Sequence, residues 1–273
     1  MSSLQRRYHG VVRFHLIFTA IILLLGTSCA EPYLGVKIPF VATWGGATIG
    51  CSSADIALSD LRFYVSEIEF TDDRGRAFAL GLHDDLQWQQ ADLALIDLED
   101  GEGGCDNGTR EVFAYLVGSL PPGDYKGLQF TVGVPFARNH ANPLMARTPL
   151  DDPAMHWHWR SGYKFLRAGI RTPSDSFWIH VGSAGCEGTV RDISGCRFPN
   201  RIAVELEDFS PGQDAIAVNL KALLAGTGLT DGVPSDCSSG PPETSCVAPF
   251  AALGIDFESG QRSGQQNVFS VRQ

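Results

Sequence analysis

Phe177-Trp178-Ile179-His180-Val181 settles what kind of chain this is. In an extended segment side chains alternate between faces, so Phe177, Ile179 and Val181 point one way and Trp178 and His180 the other. The all-apolar side would face a core. The other side carries a large aromatic beside an imidazole, which could be half of a metal site. Working outward, residues 133 to 186 gather four of the seven histidines: His140, His156, His158 and His180. The same span holds Gly133-Val134-Pro135-Phe136, Met155-His156-Trp157-His158-Trp159 and Gly162-Tyr163-Lys164-Phe165-Leu166-Arg167.

The rest of the chain reads as more short strands. Val36 to Ala42 is the first, broken by Trp44-Gly45-Gly46. Leu61 to Val65 alternates cleanly, and the pattern then slips one place at Ser66-Glu67, which signals a bulge. Asp72-Asp73-Arg74-Gly75 is a turn, and Ala77 to Leu80 returns as the partner. Further strands are expected at Leu93 to Leu98, Glu111 to Val117, Tyr125 to Val134, Tyr163 to Ile170, Arg201 to Leu206 and Ala215 to Leu220. Lys221 to Ala225 reads as one helical turn. Residues 137–155 show no period and hold three prolines; so long a loop in a compact domain is functional or mobile. The residues after Phe269 are expected to fray. No segment has the length and 3.6-residue period of a major helix. The fold class is therefore all-β, an antiparallel β-sandwich with long disulfide-braced loops.

Residues 1–29 have the form of an export signal. Arg6, Arg7 and Arg13 precede an apolar run from Leu16 to Leu25, too short to cross a bilayer comfortably. Cys29 is the expected lipid-attachment residue; cleavage after Ala30 is the alternative. The remainder, 30–273, is read as a single domain in the periplasm or at the outer membrane. Three of the 21 basic residues and none of the 31 acidic ones lie in the leader, so the remainder carries 18 against 31, net −13. So acidic a chain is a poor nucleic-acid binder, and its contact with membrane is expected through the lipid anchor alone.

Setting Cys29 aside leaves six cysteines, an even number in an exported chain, read as three disulfides. Fifteen pairings exist. Nearest-neighbour closure selects Cys186-Cys196 and Cys237-Cys246, and leaves Cys51-Cys105. Structural zinc fits poorly, because no pair has the tight spacing such sites use.

The order of Val134-Pro135-Phe136, Asn139-His140, Trp157-His158-Trp159, Gly162 to Arg167 and His180-Val181-Gly182-Ser183 with Cys186 resembles the MbnP-like family. So do Asp60 to Ser66, Trp88-Gln89, Leu93 to Gly101, Asp106 to Thr109 and Pro199-Asn200-Arg201. The family consists of periplasmic copper-binding β-sandwich proteins, the four-Cys half of a "metallo-mystery pair". The resemblance implies a copper site built from histidines and a kynurenine. That kynurenine would be made from tryptophan by a di-haem maturation protein of the cytochrome c peroxidase type. Related copper proteins carry the modified Trp two places before a ligand His, the spacing of Trp178 and His180. An intact indole is a hydrogen-bond donor only, whereas the opened ring offers an amine and a ketone. On this reading the metal residues are His180, Trp178 as kynurenine, and His140 as the second imidazole. Alternates are His156, His158, Trp157, Trp159 and Trp88. Ala184, where Thr is usual, and the histidines flanking Trp157 depart from the family pattern.

Each candidate has a plainer role. Trp178, Trp157 and Trp159 could simply pack, and His140 could cap a turn beside Asn139. His156 and His158 could be solvated, and Met155 could fill a gap. The rival functions are a metal-free cell-surface binding or adhesion module, and a hydrolase. No nucleophile elbow or HExxH helix supports an enzyme, so the chain is expected not to be one.

Overall fold

The computed structural model describes residues 33–227, 236–239 and 243–273. The expected leader and Cys29 fall outside them. The principal strands are β1 (Leu34–Trp44), β2 (Ala57–Asp72), β3 (Leu93–Asp97), β4 (Tyr115–Leu120) and β5 (Tyr125–Val132). They are followed by β6 (His156–His158), β7 (Gly162–Arg171), β8 (Ser176–Gly182), β9 (Ala184–Thr189) and β10 (Asp192–Phe198). Last come β11 (Ile202–Glu207), β12 (Ala215–Asn219) and β13 (Phe269–Arg272).

Two open sheets face each other like a sandwich. One runs β13-β12-β1-β4; the other runs β11-β5-β2-β7-β8, with β3 also on β2 and β6 on β7. Most pairs are antiparallel, but β1 and β12 run parallel, as do β8 and the short Cys237–Ser238 strand. β9 and β10 form a separate hairpin outside both sheets.

Alternation explains the core. Along β1 the inward Val36, Ile38, Phe40 and Ala42 are buried. Phe40 meets Phe63 at 5.3 Å and Phe130 at 6.1 Å, edge to face. Phe269 of β13 adds to the same cluster, 5.6 Å from Phe63 and 5.9 Å from Phe130. Four phenylalanines from both sheets thus lock the layers together.

The irregularity at Ser66-Glu67 is present. The β2–β5 register shifts between Ser66 and Glu69, and Glu67 sits at φ 54°. All three expected disulfides, Cys51–Cys105, Cys186–Cys196 and Cys237–Cys246, are formed.

Two expectations need correction, and one element was not anticipated. The strand expected from Glu111 starts at Tyr115; Phe113 makes only an isolated bridge to Asp97. The C-terminus does not fray: Phe269–Arg272 pairs with β12, because Phe269 is an interior anchor. The segment between Cys186 and Cys196 is a paired hairpin, which its polar, glycine-rich sequence concealed.

The 137–155 loop is packed. Leu150 and Met155, with Val134, Leu93 and Leu95, surround Tyr64, Tyr163 and Phe165 in a second small core on the outer face of the second sheet. Met155 is wholly buried there, as a gap-filler. This roof explains why polar residues on that face of β2, Asp60, Arg62 and Ser66, are also buried.

Candidate metal centre

The β7–β8 register sets Trp178 opposite Gly169 and His180 opposite Arg167. On the next strand Asp60 and Arg62 continue the two rows. All project away from the main core. The glycine matters: a Cβ at 169 would lie 2.8 Å from two ring carbons of Trp178. The indole therefore lies against bare backbone. A second glycine does the same for Trp157, whose ring carbons would be 3.3 Å from a Cβ at Gly182. His180 sits between, 6.0 Å from the Trp178 ring and 6.2 Å from the Trp157 ring.

The Nε2 of His180 is buried and has no hydrogen-bond partner among the described residues. Burial pushes its pKa down to about 4, helped by the positive charges of Lys164 and Arg167. The imidazole is thus neutral at ordinary pH, the form that binds metals. Arg167 stacks its guanidinium 5.5 Å from the Trp178 ring centroid and pairs with Asp60 Oδ2 at 3.0 Å. Asp60 also holds Arg62, which reaches Asp152 of the roof at 3.5 Å.

The edge of β8 is stapled by the 236–239 segment. Trp178 N donates to Asp236 Oδ1 at 2.9 Å. Ser239 Oγ donates to His180 O at 3.0 Å and accepts from Gly182 N at 2.6 Å. The Cys237–Cys246 disulfide anchors this segment in the main core.

The other candidates lie as follows. His140 caps the short Phe136–Asn139 helix and packs its ring on Phe136 at 4.8 Å. Its Nε2 is 3.4 Å from Cys196 Sγ, and its ring makes no aromatic contact with Trp157 or Trp178 among the described residues. His156 packs edge-on to Tyr163 at 5.3 Å; burial, then Lys164 and His158, lower its pKa. His158 is exposed, beside Trp159 at 5.5 Å. Trp159 carries Arg160 over its ring at 4.9 Å. Trp88 stacks on Phe113 at 5.6 Å, with no imidazole ring contact among the described residues. The structure therefore brings His180, Trp178 and Trp157 together. Gly169, Gly182 and Ser239 were missed. An isolated Gly inside a strand marks close approach by another group, so Gly169 was findable once the β7–β8 register was known.

Two disulfide-braced sheets with a neutral imidazole, its Nε2 unpartnered among the described residues, set between indoles define an all-β protein with a half-buried histidine–tryptophan site. The family model MbnP matches residues 34–239, and the chain belongs to the MbnP family. A solved structure, MbnP from Methylosinus trichosporium, is similar at 25% identity with a TM-score of 0.74, covering 88% of this chain and 98% of that one. No curated protein matches.

Proposed function

We propose that this chain is an exported copper-binding protein, not an enzyme, and that it acts in copper acquisition or homeostasis. The carrying observation is the buried, unpartnered Nε2 of His180 between two indoles. A buried polar nitrogen left without a partner is costly, and a metal would satisfy it. Imidazole suits copper, which binds such sites more tightly than other divalent first-row ions do. His180 would hold the ion together with a kynurenine formed from Trp178. When bound, copper supplies a centre that accepts the lone pairs of these groups.

The chain's own residues do the rest. Gly169 leaves room for the ring of residue 178, Asp60 holds the Arg167 that stacks on that ring, and Ser239 holds the His180 backbone. The ring opening is assigned to a di-haem partner of the cytochrome c peroxidase type. Residues 1–29 direct export, with Cys29 as lipid anchor and the periplasm or outer membrane as destination.

A peptide mass map of all five tryptophans, on protein purified from its native host, tests the reading. Conversion to kynurenine replaces one carbon by one oxygen, and the shift is expected on the Trp178 peptide. Five unmodified tryptophans in a protein that takes up no copper would sink the proposal.

A further inference from the structure

The three disulfides are not equivalent. Cys51, Cys105, Cys237 and Cys246 belong to the main hydrophobic core, whereas Cys186 and Cys196 do not. The latter pair joins β9 to β10, the hairpin outside both sheets. Its tip is solvent-facing, with Val190 68% exposed. Cys196 also borders an open cleft of about 250 Å³ walled by Val134, Phe136, Phe165, Pro199 and Arg201. Cys186 is buried and Cys196 half-buried, whereas the four other described cysteines are all buried in the main core, so Cys196 Sγ is the sulfur that a small thiol reagent meets first.

Beside it stands His140. Asn139 fixes the state of that ring. The Asn139 side-chain oxygen accepts from Tyr163 N at 2.8 Å, so its amide nitrogen faces the other way. That nitrogen donates to Ser161 O at 3.1 Å and lies 3.1 Å from His140 Nε2. The amide is a donor, so beside it Nε2 is the unprotonated nitrogen; the two amide hydrogens can be taken by Ser161 O and by Ser183 Oγ, 3.3 Å away, which frees the Nε2 lone pair. The same Nε2 points at Cys196 Sγ, 3.4 Å away. His140 Nδ1 is buried without a partner among the described residues. Ligand atoms of His140, Cys186 and Cys196 all lie within 4.8 Å of one another.

We propose that Cys186–Cys196 is a redox gate over a second metal site, and that reduction assembles a His140–Cys186–Cys196 site for a soft cation such as Cu(I). While the disulfide is intact its sulfurs are weak donors. A dithiol reductant opens it by thiol–disulfide exchange. The Cys186–Cys196 S–S bond breaks, one S–S bond forms in the reductant, and two electrons and two protons pass to the cysteines. On binding, both thiols lose their protons to solvent, and two thiolates with one imidazole nitrogen hold the ion. Thiolate selects Cu(I) over harder ions. Exchange with a small-molecule disulfide reverses this: its S–S bond opens and takes up two electrons, the Cys186–Cys196 bond re-forms, and the metal is released. This site shares no ligand with His180 and does not depend on kynurenine.

The test uses the full exported chain, made without the di-haem partner. Graded treatment with a dithiol, followed by alkylation and peptide mapping, is expected to label Cys186 and Cys196 before the other four cysteines. Titration with Cu(I) against a chromophoric chelator should then show one more tightly held ion per reduced chain than per oxidised chain. Cd(II) should give a thiolate charge-transfer band in the reduced form alone. The extra ion should vanish in His140→Ala and in the Cys186→Ser/Cys196→Ser double variant, while whatever the oxidised chain binds is unchanged in that double variant. Equal uptake by both forms, or simultaneous labelling of all six cysteines, overturns the proposal. So does undiminished uptake by the double variant. Failure of the His180 site would show separately, as loss of binding by oxidised, kynurenine-bearing protein.

Discussion

At the scale of single residues, His180 and Gly169 carry the most weight. His180→Ala removes the one neutral nitrogen between the indoles, and copper retention by native-host protein is expected to fall at least tenfold, read by equilibrium dialysis. The depressed pKa gives a second handle. Above the ordinary value of 6.5 the ring is neutral in both folded and unfolded chains. Below it the unfolded chain takes up a proton first, while the folded ring resists until pH is near 4. His180 therefore contributes stability that is full above pH 6.5 and is lost as pH falls toward 4. Metal uptake at His180 should correspondingly persist through pH 5.5, where an ordinary histidine is mostly protonated. Gly169→Ala forces Trp178 to move; overpacking of this kind costs about 1–3 kcal/mol, and urea melts with Trp fluorescence would report both the loss and the altered indole. The pairing of Trp178 with His180 was legible from strand alternation alone. The glycines that seat the indoles were not, because their role appears only when two strands are set in register.

Strands and loops show where local pattern suffices and where it fails. β2, β7 and β8 were legible because their apolar residues recur every second position against a core. The C-terminal strand was not, since the few residues of 269–272 carry too short a pattern to outweigh their terminal position. Their anchor is Phe269, closed in by Phe63 and Phe130. Phe269→Ala is expected to cost about 3–5 kcal/mol, the range for truncating a buried aromatic, measurable by chemical denaturation. The β9–β10 hairpin escaped because its outward residues are polar on both faces, leaving no period-two signal. On β3, Asp97 ends a fully buried strand. Burial, then the neighbouring Glu99 charge, pushes its pKa up to about 8. The folded chain then holds a proton that the unfolded one has released from about pH 4 upward. Stability should decline as pH rises through that window. Asp97→Asn should flatten the decline between pH 5 and 8 in melting temperature, if the amide keeps the bond that Glu99 N donates to Asp97 Oδ1 at 3.0 Å.

Over the whole molecule, the disulfides divide stability from site geometry, and that division is testable. The three pairings followed from nearest-neighbour closure, but what each one braces was invisible until the fold placed it. Cys51–Cys105 closes a 54-residue separation inside the core; the chain-entropy model gives about 4 kcal/mol for such a loop. Cys237–Cys246 closes only 9 residues, about 2.5 kcal/mol on the same model. Yet the second bond anchors the segment that binds Trp178 N, His180 O and Gly182 N. Replacing each pair by serines should therefore reverse the ranking between two measurements. The Cys51→Ser/Cys105→Ser protein should lose more in denaturant midpoint while keeping its copper affinity wherever it remains folded. The Cys237→Ser/Cys246→Ser protein should lose less stability but more copper, because the β8 edge that fixes the His180 backbone is no longer held. Equal copper loss at matched folded fraction would show that the 236–239 staple does not organise the site.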